Sequence, residues 1–205
     1  MYDLIIIGGG ASGMAAAITA GERGKNVLLL EKEDKLGKKI LASGNGKCNL
    51  SATDVAPEKY NAPDFVQSVI RTDVEGFFHR LGLATKRVGE RIYPYSESAL
   101  SVVNVLRKNL KCDIKTCFEV TQIEKGETYF TVNGIETRNV LLASGSRASF
   151  GTDACDLYAC LGIGEVARRP SVVPLVTDDT YVKGAANLRA KGRVTLLSGG
   201  KPCAS

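Results

Sequence analysis

Three consecutive glycines near the N-terminus constrain the fold of this chain more than any other feature. An apolar run from Asp3 to Ile7 ends in Gly8-Gly9-Gly10-Ala11-Ser12-Gly13, which satisfies the pattern GxGxxG. An alanine-rich segment from Ser12 to Arg23 has helix-forming composition and closes at Gly24, and a second apolar run covers Asn26 to Glu31. Strand, glycine turn, helix and strand in this order predict a right-handed crossover unit of a parallel sheet.

The glycines indicate a dinucleotide site, because they follow a strand and open a helix. Gly8 permits the tight turn, Gly10 lets backbone approach a pyrophosphate, and Gly13 allows the helix to pack closely on the strand. Free N–H groups and the helix dipole attract the phosphate charge. Glu31, about twenty residues further along, stands where a carboxylate accepts hydrogen bonds from ribose hydroxyls. FAD, NAD and a purely structural turn are the alternatives that these residues leave open.

The segment after the crossover unit predicts a long loop and then helices. A polar, glycine-rich loop runs from Lys35 to Ser51, and loops of this length are often functional. A helical excursion is expected near residues 60–85, with Pro63 in a first turn, Asp73 as an N-cap and Gly82 at an end.

The following residues predict a return to the sheet. Ser98 to Leu110 has apolar residues at helical spacing, and Asp113 to Ile114 adds a parallel strand. The alternating stretch that follows is broken at Lys125-Gly126 and Asn133-Gly134, which indicates an antiparallel meander that leads into a final buried strand at Asn139 to Ala143. The predicted fold class is α/β: a Rossmann-like FAD/NAD(P)-binding domain with a parallel sheet, an antiparallel β-meander and a small helical excursion.

Composition and charge narrow the class of protein. With 44% hydrophobic and 24% charged residues, we expect a globular protein. Its apolar runs are too short to span a membrane, and its first residues lack a secretory signal, so we expect a cytoplasmic protein. Six cysteines without a CxxC pair and a single histidine, His79, favour reduced thiols and no metal site. The net charge of +5 comes mainly from the C-terminal region, where the absence of interleaved aromatic residues favours a solvated surface over a nucleic-acid partner.

The long loop carries a family resemblance. It reads Leu36-Gly37-Lys38-Lys39-Ile40-Leu41-Ala42-Ser43-Gly44-Asn45-Gly46-Lys47-Cys48-Asn49. This is similar to the GxKxLxSGxGRCN segment of flavoproteins related to aminoacetone oxidase and to the bile-acid-pathway flavin reductases. Lys47 stands in place of the arginine, which keeps the charge but loses the bidentate fork.

Three further segments extend the resemblance. Gly89 to Ser96, completed by Ala99, Ser101 and Val102, is similar to the family's GRxFPxSxxAxSV. Leu142 to Gly145 resembles the ATG strand end of two-domain flavoproteins, and Pro170 to Leu175 resembles the family's PxLVPL.

The resemblance implies FAD as the cofactor, with the loop from Ser43 to Asn49 near the flavin ring and the backbone of Val120 at the adenine. The implied FAD contacts are Gly8, Gly10, Ser12, Gly13, Glu31, Lys39, Gly44, Gly46, Lys47, Cys48, Asn49, Val120, Ala143 and Gly145. It further implies an oxidoreductase that passes a hydride between NAD(P)H or a small organic substrate and the flavin. The sequence assigns no catalytic acid or base, no substrate and no oligomeric state.

Two departures from the family pattern affect this expectation. Asp153 to Ile163 does not match the glycine, tyrosine and histidine of the family's DGYxLAxxLGH helix, so the activity or substrate can differ although a helix is expected. Family members continue further, so residues 1–180 are expected to form most of an FAD-binding domain and 181–205 to begin an incomplete inserted β domain. A truncated product is therefore expected. A dehydrogenase that uses NAD directly, and an FAD-binding remnant or redox sensor without turnover, are the other hypotheses.

Overall fold

The computed structural model describes residues 1–60, 62–70, 72–145 and 157–164, and the strand backbones at 196–198 and 201–204. The chain divides into two compact units, Met1–Glu165 and Val166–Ser205. In chain order the elements are β1 Leu4–Ile7, α1 Ala11–Glu22, β2 Val27–Leu30, α2 Lys38–Ala42, β3 Ser51–Ala52, α3 Pro63–Val69, α4 Val74–Arg80, β4 Thr85–Val88, β5 Arg91–Pro94, α5 Ala99–Lys108, β6 Asp113–Lys115, β7 Ile123–Lys125, β8 Phe130–Val132, β9 Ile135–Thr137, β10 Val140–Leu142, β11 Leu196–Ser198 and β12 Lys201–Ala204. In the second unit, β11 and β12 pair antiparallel. The domain boundary near residue 180 stays a prediction.

Four parallel strands in the order β10-β1-β2-β6 form the central sheet of the first unit. Ile6 of β1 lies opposite Leu29 of β2 and Leu141 of β10. Parallel strands that are buried on both faces consist of continuous apolar runs, as β1 and β2 do. The predicted crossover unit and the strands predicted at Asp113 to Ile114 and at Asn139 to Ala143 are confirmed. The last of these was expected to be buried, but β10 lies at the edge of the sheet and Leu141 is 37% exposed.

Alternate residues of the central strands face two separate cores. On one face, Ile6 packs with Met14 of α1 and Leu106 of α5. On the other face, Ile5 packs with Val132 of the meander β7-β8-β9. The sheet is therefore covered by helices on one side and by an antiparallel sheet on the other.

The helical excursion consists of two short helices, α3 and α4. The Asp73 carboxylate accepts a hydrogen bond from the Gly76 N–H at 2.8 Å, which caps the N-terminus of α4. Pro63 occupies the first position of α3, where a missing N–H has no cost. Both helix-start predictions are confirmed.

A three-stranded antiparallel sheet, in the order β3-β5-β4, was not predicted from the sequence. Thr85-Lys86-Arg87-Val88 shows no apolar alternation, and it forms a strand because it pairs with β5 along its whole length. Gly89, at φ +58°, begins the tight turn between the two strands. The expected long loop also contains the short helix α2 and a tight turn with left-handed backbone at Ser43–Gly46.

Part of the predicted C-terminal pattern lies outside the described residues, including Pro170 to Leu175. Of the segment from Asp153 to Ile163, the structure describes residues 157 onward, where Ala159–Leu161 forms a 3₁₀ turn instead of an α-helix. Among the described helices, none has the length and apolar character needed to cross a bilayer.

Candidate cofactor site

A cavity of about 830 Å³ opens at the carboxyl ends of β1, β2 and β10. Open α/β sheets bind their ligands at this end, next to the point where the strand order reverses. Here β1 and β2 are consecutive in the chain, whereas β10 arrives on the other side of β1 after a long excursion. The strand ends contribute Gly8, Glu31 and Ala143 to the lining.

The glycine turn has a different requirement at each of its three motif positions. Gly8 has φ +109°, and a Cβ there would overlap the carbonyl group of Ala143. A Cβ on Gly13 would overlap the carbonyl oxygen of Gly8, so α1 packs directly on the turn. A Cβ on Gly10 would meet no atom within 4 Å, because Gly10 faces the open cavity. The absent side chain of Gly10 leaves its backbone open to close approach by a ligand, as a pyrophosphate-binding turn requires.

The N-terminus of α1 supplies donors at this point. The first intrahelical hydrogen bond runs from the Met14 N–H to the Gly10 carbonyl, at 3.0 Å. The preceding N–H groups, from Ala11 to Gly13, have no helical acceptor, and the first turn contains no acidic side chain. Free donors and the positive end of the helix dipole therefore meet at the cavity and favour an anion.

The Glu31 carboxylate is held in place by two backbone amides. One oxygen accepts from the Gly9 N–H at 2.6 Å and the other from the Glu33 N–H at 2.9 Å. Each carboxylate oxygen has a further lone pair, so the group can also accept hydrogen bonds from ribose hydroxyls. The bond to Gly9 ties the end of β2 to the glycine turn, which fixes the Glu31 carboxylate relative to that turn.

The loop after β6 closes the cavity beside Glu31. Its backbone is attached to the end of β2, because the Phe118 N–H donates to the Glu31 carbonyl at 2.9 Å. Val120 lines the cavity and is 5% exposed. Phe118 also lines it, although sequence reasoning did not single it out. Its place directly after a parallel strand is the signal that could have found it.

The loop from Ser43 to Asn49 forms another wall. Gly44, Asn45, Gly46 and Cys48 all have positive φ, between 54° and 82°. This left-handed path brings Cys48 and Asn49 to the cavity and turns Lys47 away from the lining, where it forms an ion pair with Glu97. With its amide oriented so that the nitrogen donates, Asn49 bonds the carbonyls of Ser51 (2.8 Å) and Ile92 (3.1 Å).

Ten of the fourteen residues that were predicted to contact a cofactor line this cavity. They are Gly8, Gly10, Ser12, Glu31, Lys39, Cys48, Asn49, Val120, Ala143 and Gly145. Four are not part of the lining, namely Gly13, Gly44, Gly46 and Lys47. The contacts of all fourteen with a cofactor stay a prediction.

Charged and polar side chains that sequence reasoning missed also reach the cavity, including Lys32, Glu33, Lys35 and Lys38. Lys38 pairs with Glu33 at 2.7 Å and with Asp34 at 2.8 Å, and these carboxylates raise the pKa of its ammonium group. The charge run that directly follows Glu31 in the sequence was the available signal. Because Lys38 is already paired, its charge is partly neutralised at the cavity rim.

Cys48 has the surroundings of a structural thiol. It is 6% exposed, and burial raises the pKa of its thiol above the ordinary value of 9.0. A thiol that stays protonated is a poor nucleophile. This environment is that of a small buried apolar residue and not of a redox thiol.

A second cavity, of about 680 Å³, lies along the side of α1 that faces away from the sheet. It shares Ala11, Ile40, Cys48 and Asn49 with the first cavity. Its other described lining residues are mainly apolar and include no carboxylate. Without a glycine turn and a ribose-binding acid, it does not suit a dinucleotide, so the first cavity is the candidate cofactor site.

Two curated proteins are similar to most of this chain. The chain is 35% identical over 218 aligned residues to the 3-dehydro-bile acid delta(4,6)-reductase of Clostridium scindens. The alignment covers 97% of this chain and 53% of that protein. It is 31% identical over 194 residues to the ribosomal RNA dihydrouridine synthase of Escherichia coli, in an alignment that covers 84% of this chain and 48% of that protein. The chain thus spans about half the length of these relatives.

Solved structures support the fold alone. Thermovibrio ammonificans THI4 superposes with a TM-score of 0.50 at 14% identity, over 80% of this chain and 64% of that one. A flavocytochrome c3 fumarate reductase gives the same TM-score at 18% identity, and the match covers 71% of this chain and 34% of that one. Residues 2–159 match the HI0933-like protein Rossmann domain. The chain therefore belongs to the HI0933-like Rossmann family, in agreement with the resemblance of its loop motifs to the bile-acid-pathway flavin reductases.

Proposed function

We propose that this chain is the cofactor-binding part of an FAD-dependent oxidoreductase. The observation that carries the proposal is a single cavity in which the open face of Gly10, the fixed carboxylate of Glu31 and the Val120 loop meet. Each of these matches one part of an adenosine diphosphate: the pyrophosphate, the ribose and the adenine. Family membership supports an oxidoreductase, because the two relatives named above are a reductase and a dihydrouridine synthase.

FAD is favoured over NAD by the other wall of the same cavity. Ser43, Cys48 and Asn49 belong to the loop that resembles flavoproteins, and the cavity extends to them. In the proposed complex the N–H groups from Ala11 to Gly13 bind the pyrophosphate, and Glu31 orients the ribose. When bound, FAD supplies the hydride-accepting and hydride-donating chemistry. The chain's own residues bind and orient it, and the buried side chains of Val120 and Cys48 exclude water from the wall.

We further propose that the second reactant is NAD(P)H or a small organic substrate. The bile-acid reductase of Clostridium scindens supports a small organic molecule as the hydride acceptor. A second candidate acceptor is uridine in RNA, which the identity of 31% to the Escherichia coli synthase and 27% to its Haemophilus influenzae counterpart favours. A carbon–carbon double bond would be reduced in either case, so one cofactor chemistry would serve both.

The spectrum of the purified chain tests the cofactor assignment. A yellow protein that releases FAD on heating, identified by mass, is the expected result. A protein that is folded by circular dichroism, stays colourless and takes up no added FAD would contradict the proposal.

Anaerobic mixing with NADH or NADPH tests the reaction assignment. We expect one of them to bleach the flavin absorbance, and an enone substrate or a uridine-containing RNA to restore it. Bound flavin that only oxygen reoxidises would instead indicate an FAD-binding remnant or redox sensor without turnover.

A further inference from the structure

Glu97 connects the loop from Ser43 to Asn49 to the antiparallel sheet β3-β5-β4. It lies between β5 and α5 and pairs with two lysines through its two oxygens. One oxygen contacts Lys47 of the loop from Ser43 to Asn49, and the other contacts Lys86 of β4 at 2.7 Å. Three separate segments of the chain therefore meet at one carboxylate.

The backbone at both ends of the Lys47–Glu97 pair is in an uncommon conformation. Glu97 itself has φ +50°, and Cys48, next to Lys47, has φ +56°. Left-handed backbone at residues other than glycine persists only where the surroundings hold it. Within the loop, the Lys47 N–H donates to Gly44 at 3.0 Å and the Cys48 N–H donates to Ser43 at 3.3 Å, so these bonds are local. The Lys47 side chain is a tether to a residue 50 positions away.

Lys86 orients the carboxylate for this contact. Its ammonium group lies 5.6 Å from the centre of the Tyr95 ring, which places it beside the β5 strand end as well as Glu97. Together the two lysines hold the pKa of Glu97 at about 2, below the ordinary 4.5. A carboxyl group stays ionised at every pH above its pKa. The ion pair is therefore intact at neutral pH and is lost only as the pH falls through about 2.

We propose that Glu97 is a positioning residue for the cofactor site: through Lys47 it holds the left-handed turn that places Cys48 and Asn49 in the cavity wall. This inference rests on the proposed FAD site. It assigns Lys47 to the support of the loop, whereas the sequence resemblance assigned Lys47 to the cofactor itself. Exposed ion pairs contribute little to global stability. Loss of this pair should therefore change the amide exchange of the loop and the affinity for FAD, and not the unfolding free energy of the whole unit.

The test compares Glu97→Gln, Lys47→Met and Lys47→Arg with the matched control Glu90→Gln. Amide hydrogen exchange of residues 43–49 is measured without cofactor, and the FAD dissociation constant is measured by fluorescence titration. We expect Glu97→Gln and Lys47→Met each to speed exchange and to raise the dissociation constant by about five-fold. Lys47→Arg keeps the ion pair and Glu90→Gln does not touch it, so both should behave like the natural sequence. The double variant Glu97→Gln with Lys47→Met should bind FAD no more weakly than Glu97→Gln alone, because Glu97→Gln already removes the Lys47–Glu97 ion pair.

Two results would overturn the proposal. One is unchanged exchange and unchanged affinity in Glu97→Gln. The other is a loss of affinity in Lys47→Met alone, which would mean that Lys47 binds the cofactor directly. The exchange measurement needs no FAD, so it decides the role of Glu97 even if the natural sequence binds no FAD and the proposed function fails.

Discussion

The three motif glycines show how one residue type meets three different physical requirements. Gly8 needs a positive φ and has no room for a side chain, and Gly13 has no room for one against the Gly8 carbonyl. Gly10 has both a permitted φ of −80° and open space in front of it. Only at Gly10 is the requirement for glycine expected to come from a ligand instead of from the protein's own packing.

Substitutions at Gly10 and Gly13 should therefore separate binding from folding. Gly13→Ala should reduce the free energy of unfolding by about 1–3 kcal/mol, because α1 must move away from the turn. Gly10→Val should reduce it by no more than about 1 kcal/mol, as expected at an N-cap, but should weaken FAD binding by at least about ten-fold. Urea unfolding and FAD titration measure the two effects. Normal FAD binding by Gly10→Val would show that the pyrophosphate lies elsewhere.

The cysteines should differ in reactivity according to their surroundings. Cys48 is buried and its thiol pKa is raised, whereas Cys117 and Cys160 are exposed. Because the thiolate is the reactive form, iodoacetamide at pH 8 should modify the two exposed cysteines at least about ten-fold faster than Cys48. Peptide mass spectrometry over a time course resolves the individual sites. Fastest modification at Cys48 would instead identify it as an activated thiol.

At the scale of elements, the meander supports the cofactor site through one turn residue. Asn133, at φ 45°, occupies the turn between β8 and β9. Its side-chain oxygen accepts from the N–H groups of Thr121 and Gln122, each at 3.0 Å, and its nitrogen donates to Glu119 at 2.8 Å. These bonds hold the backbone on both sides of Val120, so a turn outside the cavity fixes one of its walls.

Two substitutions at Asn133 should distinguish its side-chain bonds from its backbone conformation. Asn133→Gly keeps the left-handed backbone but loses the side-chain hydrogen bonds, and it should cost about 1–3 kcal/mol of unfolding free energy. Asn133→Ala loses the bonds and also strains the backbone, which adds about 1 kcal/mol. Both should weaken FAD binding similarly, because both release the Val120 loop. Equal stability of the two variants would show that the turn conformation contributes nothing to the unfolding free energy. Unchanged FAD affinity would show that the turn does not support the cofactor site.

At the scale of the whole molecule, the site exists only because distant segments converge. Gly8, Glu31, Val120 and Ala143 come from four parts of the chain and meet at one edge of the sheet. A ligand that bridges them stabilises the folded state by mass action. Its binding should therefore be visible in global unfolding.

Added FAD should raise the thermal unfolding midpoint of the chain. At a free concentration of 100 times its dissociation constant, FAD adds about 2.7 kcal/mol, which corresponds to roughly 5–10 °C for a unit of this size. Riboflavin, which lacks the pyrophosphate and the adenosine, should give little shift. The Gly10→Val variant should show no shift with FAD. A shift of equal size with riboflavin would mean that the flavin end, and not the adenosine diphosphate end, provides the binding energy.

The crossover unit, the dinucleotide motif and most elements of the first unit were predictable from the order of the residues alone. These features depend on local requirements: apolar runs for β1 and β2, missing side chains at the glycine turn, and turn residues such as Asn133-Gly134. The carboxylate of Glu31 was also predictable, because a strand of known length brings it to a known end of the sheet.

The direction of the side chains in the long loop and the pairing of the strands beside it depend on tertiary contacts. Left-handed residues on both sides of Lys47, at Gly44 to Gly46 and at Cys48, direct its side chain out of the cavity toward Glu97, and no sequence periodicity reports such a change of direction. The strand β4 likewise depends on pairing with β5 and not on an apolar pattern of its own. Local physics thus places the glycine turn and Glu31, whereas contacts between residues far apart in sequence place the remaining walls of the cavity.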